Sequence, residues 1–317
     1  MADTRFMWAH FISLGSNMWN EPGNTRHRER RSTPTGSARF LFDRASWNEH
    51  TELLAKCGAN TLVIDIGEAM RFESHPEIAV EAAWGHDEML AEIDRLHGLG
   101  FELIPKLNFS ACHDVWLGEY SRMLSTSVYY KVCRDIIDEV CAVFKPRHFH
   151  IGMDEEDARN QARLDYCVVR QHDLWWHDLY YLVDCVERNN ARPWVWADAG
   201  WSRPDTYLER MPKEVVQNNW VYSPRLEGEG LSPALLEHLE FFKKLDAAGF
   251  DQVPTGSAFE TKDNLLALTK YCKKNISGER LLGMMQSTWE RTDPAWMPLQ
   301  REAAEAIAES RAWFYAG

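Results

Sequence analysis

The chain lacks the marks of several protein classes. Its seven cysteines (Cys57, Cys112, Cys133, Cys141, Cys167, Cys185 and Cys272) are odd in number and include no C-x-x-C pair. That argues against a disulfide framework and a zinc knuckle, and reduced thiols are the simpler account. No apolar run is long enough to span a bilayer. Positive charge is scarce, 35 Lys and Arg against 48 Asp and Glu, and the net charge of −13 would repel nucleic acid and anionic membrane. Neither is expected as a partner. No G-x-G-x-x-G fingerprint follows the first β-prone run, which weakens a dinucleotide site, and no cofactor or metal is expected. Met1-Ala2-Asp3-Thr4-Arg5 lacks the charged and then apolar pattern of a signal. The chain as written therefore reads as cytoplasmic, or as periplasmic or secreted if a signal has been removed. Linkers, low-complexity tracts and internal repeats are missing too, so 1–317 reads as one domain.

What is present is a large apolar complement: 45% hydrophobic residues, with 14 Trp. Arg26-His27-Arg28-Glu29-Arg30-Arg31 is a local basic exception within a loop-like stretch, read first as a solvated loop and second as an arm for an acidic or sulfated ligand. Eight β-prone runs recur, at 6–14, 61–66, 101–107, 148–152, 193–197, 215–221, 251–256 and 281–287. Helical periodicity lies between them, as in Met89, Ile93 and Leu96, in Val132, Ile136, Val140 and Val143, and in Leu179, Leu182, Val183 and Val186. Leu235, Leu239 and Phe242, and later Leu299, Ala303, Ala306 and Ile307, continue it. The economical architecture is an α/β (β/α)8 TIM barrel with a long β1-α1 loop at about 15–45.

Active sites of this fold form where strand C-termini converge. The segments expected there are rich in Trp, carboxylate, Asn and His, a composition suited to stacking on sugar rings and gripping hydroxyls. The fourth run ends in Asp154-Glu155-Glu156. Adjacent acids at a strand end can hold one carboxyl protonated beside another kept ionised, as acid catalysis near neutral pH requires. Alternatively, they merely open the next helix. His113 and His150 are candidates to orient these acids or touch sugar, with a hydrogen-bonded core role as the alternative.

Phe149-His150-Ile151-Gly152-Met153-Asp154-Glu155 resembles the His-x-Gly-Gly-Asp-Glu signature of glycoside hydrolase family 20, the β-N-acetylhexosaminidases, with Met153 where the family usually has Gly. Ile104-Pro105-Lys106-Leu107-Asn108-Phe109-Ser110-Ala111-Cys112-His113 is similar to the family's third strand, with Asn108 where an Asp is common. Weaker echoes are Trp194-Val195-Trp196-Ala197-Asp198 and Ser287-Thr288-Trp289-Glu290. The first strand departs, having no Arg in Phe11 to Asn17. The additional N-terminal α/β domain common in the family has no counterpart.

The resemblance implies a retaining hydrolysis of terminal β-linked N-acetylhexosamine, with the substrate's acetamido oxygen as nucleophile. Glu155 would be the general acid and then base, and Asp154 would hold the acetamido N–H. Tyr222 would hold the acetamido carbonyl, and Trp196, Trp220 and Trp289 would wall the pocket. Asn108, Asp198 and Glu290 join His113 and His150 as candidate substrate-binding residues. The partner implied is an oligosaccharide or glycoconjugate; oligomeric state stays open. Two other readings remain: a metal-dependent barrel hydrolase using the His148 and His150 pair, and a non-catalytic carbohydrate-binding barrel.

Overall fold

The computed structural model describes residues 6–23, 36–162, 164–170 and 173–316. The Arg26 to Arg31 segment lies outside them. Within them, strands and helices alternate: β1 (Met7–Ser13), α1 (Arg44–Lys56), β2 (Thr61–Asp65), α2 (His86–Gly98), β3 (Glu102–Lys106), α3 (Ser127–Phe144) and β4 (His148–His150). After these come α4 (Ala158–Gln161), α5 (Leu174–Glu187), β5 (Arg192–Trp196), α6 (Pro204–Arg210), β6 (Val216–Asn218), α7 (Pro233–Ala247), β7 (Thr255–Ser257), α8 (Asn264–Asn275), β8 (Gly283–Ser287) and α9 (Met297–Ala316).

Each of the eight β-prone runs overlaps a strand. The strands pair in parallel in the order β6-β5-β4-β3-β2-β1-β8-β7. Backbone bonds close the ring between β6 and β7: Asn219 O accepts from Thr255 N at 2.9 Å, and Gln217 O from Val253 N at 3.0 Å. The result is a (β/α)8 barrel. Pro254 explains why β7 starts later than its β-prone run, since proline supplies no ladder N–H.

Strand alternation sorts side chains into two layers. Met7, Ala9, Phe11, Val63, Ile104, Trp194, Trp196, Val216, Val253 and Met285 fill the barrel. Trp8, Ile12, Leu62, Ile64 and Leu103 face outward against the helices. Local signals set the helix starts: Asp43 accepts from Ser46 N at 2.8 Å to cap α1, Thr126 caps α3, and Ser232 caps α7 just before Pro233. Helices α1, α6 and α8 escaped the periodicity reading; α6 has seven residues, and α1 and α8 are rich in polar side chains. All seven cysteines are free thiols.

Candidate active site at the barrel mouth

The chain leaves β4 by an irregular path that decides where the acids point. Gly152, Met153 and Glu155 all adopt left-handed backbone, with φ of 74°, 74° and 51°. Glycine is required at 152, because a Cβ there would lie 2.0 Å from Asn108 Oδ1. Met153 carries a side chain in this strained region at a cost of about 1 kcal/mol. Each peptide is anchored. Gly152 N donates to His150 Nδ1 at 3.0 Å, and Met153 N to Asn108 Oδ1 at 3.3 Å. Asp154 O accepts from Ser110 Oγ at 2.5 Å, and Glu155 N donates to Asp198 Oδ2 at 2.8 Å. This turn, rather than strand twist, brings consecutive carboxyls to one mouth.

Asp154 is buried, and Asn108 Nδ2 donates to its Oδ1 at 2.8 Å. His113 Nδ1 stands 3.1 Å from the same oxygen. Burial would raise its pKa, but His113, Lys106 and Asn108 outweigh that and hold the carboxyl below the usual carboxylate range. The Asn at 108 thus has a physical reason: a carboxylate there could not donate to an ionised Asp154. Below lies fully buried Lys106, whose Nζ donates to Asp65 Oδ2 at 2.5 Å.

Glu155 is the half-exposed member of the pair, and its Oε2 lies 3.5 Å from His113 Nε2. One imidazole therefore spans both acids. The acid displaced upward is on the next strand's loop: Asp198 is pushed up to about 8 by burial, then by the Asp154 charge, with the Glu155 N–H opposing. Its Oδ1 is enclosed and has no hydrogen-bond partner among the described residues. Burial and the Asp154 charge thus favour a protonated Asp198 beside an ionised Asp154.

Aromatic side chains line one side. Trp289, at φ 56°, donates its indole N–H to Tyr222 Oη at 3.1 Å, and Tyr222 stacks on Trp220 at 4.9 Å. Trp19 meets the His113 ring edge-on at 6.1 Å and Trp289 at 6.3 Å. Trp19 lies in the first mouth segment, yet nothing in its local pattern sets it apart as a site residue; only the fold brings it to His113. Trp196 is fully buried, packed between Phe11, His150 and Trp289, so it forms the floor and not an open wall.

His150 is likewise buried inside the barrel, and burial, then Lys106, lowers its pKa well below the usual imidazole value. Its Nδ1 accepts from Gly152 N, so it supports the loop and the acids only indirectly. Glu290 is buried, with Oε1 unpartnered among the described residues, and burial pushes it up to about 7.

His148 is engaged by Glu102 at 3.3 Å, and the His148 and His150 pair draws in no third ligand among the described residues. The group that could hold a metal there is His113, Asp154 and Glu155, whose ligand atoms lie within 4.8 Å of one another. Its two acids face one imidazole, whose buried Nδ1 and Nε2 have no well-aligned hydrogen-bond partner among the described residues, and Asp154 also takes an amide N–H. No helix among the described residues is long and apolar enough to cross a membrane.

No protein-family model matches the chain, and no curated protein matches it. Solved structures do. An exo-β-N-acetylglucosaminidase of family 20 from Vibrio harveyi, in complex with N-acetylglucosamine, superposes with a TM-score of 0.62 at 14% identity, over 98% of this chain and 57% of that one. The family 20 β-N-acetylhexosaminidase of Streptomyces coelicolor gives 0.64 at 12% identity, over 98% and 69%. Dispersin B gives 0.57 at 13%, over 86% and 96%. The chain spans little more than half the length of the Vibrio harveyi enzyme. Through all eight strands, its fold is that of the glycoside hydrolase family 20 barrel.

Proposed function

We propose that this barrel is a retaining glycoside hydrolase that releases terminal β-linked N-acetylhexosamine by substrate-assisted catalysis. The observation that carries this reading is the Asp154 and Glu155 pair: one buried carboxylate kept ionised by Asn108 and His113, beside one half-exposed carboxyl at the mouth. Family 20 neighbours, one of them in complex with N-acetylglucosamine, support it.

In the proposed reaction the acetamido oxygen attacks C1 while Glu155 gives its proton to the leaving glycosidic oxygen. Asp154 accepts a hydrogen bond from the acetamido N–H and stabilises the positive charge of the oxazolinium as it develops. Glu155, now a carboxylate, then takes a proton from the water that attacks C1. Tyr222 Oη already accepts from Trp289, so its own proton is available for the acetamido carbonyl. Trp19, Trp220 and Trp289 present aromatic faces to the sugar, over the Trp196 floor. Asp198 Oδ1 and Glu290 Oε1, both enclosed and unpartnered among the described residues, are suited to sugar hydroxyls.

The test is release of an aryl group from β-N-acetylglucosaminide and β-N-acetylgalactosaminide against the plain β-glucoside and β-galactoside. Turnover confined to the N-acetyl sugars, cut about a hundredfold or more by Glu155→Gln and Asp154→Asn, supports the reading. Equal turnover of the plain glycosides refutes it. Sugar binding without turnover, unchanged in Glu155→Gln, favours the carbohydrate-binding barrel. Loss of turnover on chelation, restored by stoichiometric zinc, favours the metal hydrolase.

A further inference from the structure

The third acid of the 154–156 run has no part in the reaction above, yet it is firmly tied. Glu156 Oε1 accepts from Ala111 N at 2.8 Å and forms an ion pair with Arg170 Nη1. The Arg170 side chain is fully enclosed, and every arm of its guanidinium is used. Nε donates to Asp178 Oδ2 at 2.6 Å; Nη2 donates to Phe109 O at 3.0 Å and to Tyr129 Oη at 3.1 Å. Asp178 is held in turn by Ser125 Oγ at 2.7 Å and Tyr130 Oη at 2.5 Å, which joins the cluster to α3 and α5.

The connectivity matters more than the number of contacts. Phe109 and Ala111 belong to the loop after β3, which also carries Asn108, Ser110 and His113, the groups that grip Asp154 and reach Glu155. Glu156 belongs to the loop after β4. The Glu156 and Arg170 ion pair lies within the segment from β4 to α5, and the bonds from Ala111 N to Glu156 and from Arg170 to Phe109 O tie that segment to the loop after β3. An enclosed charge pair is a costly way to stabilise a fold, since apolar replacements are often as stable, whereas it defines a unique geometry.

We infer that Glu156 and Arg170 form a positioning clasp that sets the reach of the Glu155 carboxyl toward the leaving-group oxygen. The inference rests on the reaction proposed above. Its consequence is selective: a slackened clasp harms proton delivery and spares bond cleavage that needs no proton. A misplacement of about 1 Å costs on the order of a hundredfold in a step that depends on alignment. Burial raises the pKa of Asp114, the Arg170 charge opposes that and the Glu156 charge adds to it, so Glu156→Gln removes one influence that disfavours a second carboxylate beside the guanidinium.

The experiment compares wild type, Glu156→Gln, Glu156→Asp and Arg170→Met on two N-acetylglucosaminides. One carries a 2,4-dinitrophenyl group, which departs unprotonated, and the other a methyl group, which must be protonated. Expected for Glu156→Gln is a roughly tenfold to hundredfold fall in kcat/KM on the methyl glycoside and less than threefold on the dinitrophenyl one, since kcat/KM reports leaving-group departure and not the later water attack that Glu155 assists as base. Glu156→Asp should recover part of the loss. Equal falls on both substrates, or no fall on either, would overturn the clasp.

Amide hydrogen exchange of the same variants decides the point without activity. Exchange at 108–112 and 154–157 should speed up in Glu156→Gln and Arg170→Met while the strands stay protected; unchanged exchange in those two segments refutes the clasp. Should wild type hydrolyse neither glycoside, the proposed reaction fails, and the exchange data still decide whether the two loops are locked.

Discussion

The backbone N–H of Glu155 donates to Asp198 Oδ2 at 2.8 Å while Glu155 itself sits at φ 51°. A carboxyl on the loop after β5 thereby holds a residue on the loop after β4 in a left-handed conformation that costs about 1 kcal/mol or more by itself. The pair couples the geometry of the candidate acid to the protonation of its neighbour.

That coupling has a pH signature. Asp198 is raised to about 8, so at neutral pH it is mostly protonated and adds little charge beside Asp154 and Glu155. As pH rises through 8 it ionises, and the added negative charge opposes proton delivery and the approach of the acetamido group. Turnover of an aryl N-acetylglucosaminide should fall over that range, and Asp198→Asn should flatten the fall. An alkaline limb unchanged in Asp198→Asn would refute this.

Asn108 offers a test of what keeps Asp154 ionised. Asn108→Asp replaces an N–H donor at 2.8 Å from Asp154 with a like charge. The Asp154 pKa should rise, so the acid limb of the kcat/KM profile should move to higher pH, with kcat reduced about tenfold or more. An unshifted acid limb would show that Asp154 ionisation does not govern the rate.

Tyr222→Phe removes both the acceptor for the Trp289 indole and the proposed donor to the acetamido carbonyl. Losing one such donor costs on the order of a hundredfold in kcat. Stranding the indole N–H costs about 1–3 kcal/mol, visible as a lower Tm. A lower Tm with kcat unchanged would confine Tyr222 to a structural role.

Away from the mouth, His10 on β1 and His50 on α1 meet edge-on at 4.9 Å, fully buried and without hydrogen-bond partners among the described residues. Burial lowers both, His50 to about 3, and for His10 the His50 charge adds to the effect. Unfolded imidazoles take up protons near pH 6.5, whereas the folded ones do not until far lower. The unfolded state therefore binds more protons, and stability complete above about 6.5 is lost as pH falls. Urea unfolding at pH 7.5, 6 and 5 should show the decline. His50→Leu should reduce its slope by up to about 1.4 kcal/mol per pH unit, and an unchanged slope would refute the assignment.

Much of this molecule follows from local pattern. Short β-prone runs separated by helical stretches imply the barrel, because each strand buries both faces and each helix one. Strand-end composition places Asp154, Glu155, His113, Tyr222 and Trp289 at one mouth, since a parallel ring sends every C-terminus the same way. Other features depended on contacts across the chain. Nothing local distinguishes His150, which ends as a buried support for Gly152, from a sugar ligand, and Trp196 reads the same whether floor or wall. Trp19 reaches His113 only once loops far apart in sequence are folded together, and Arg170 reaches Glu156 only once the segment between them folds back. The protonation pattern is tertiary as well. Asp154 and Asp198 are the same residue type, and their opposite shifts come from what surrounds each: Asn108, His113 and Lys106 around one, burial and a neighbouring carboxylate around the other. Sequence pattern determined which residues share the mouth; tertiary structure decided which of them carry charge, because charge depends on neighbours within a few ångströms and not on position along the chain.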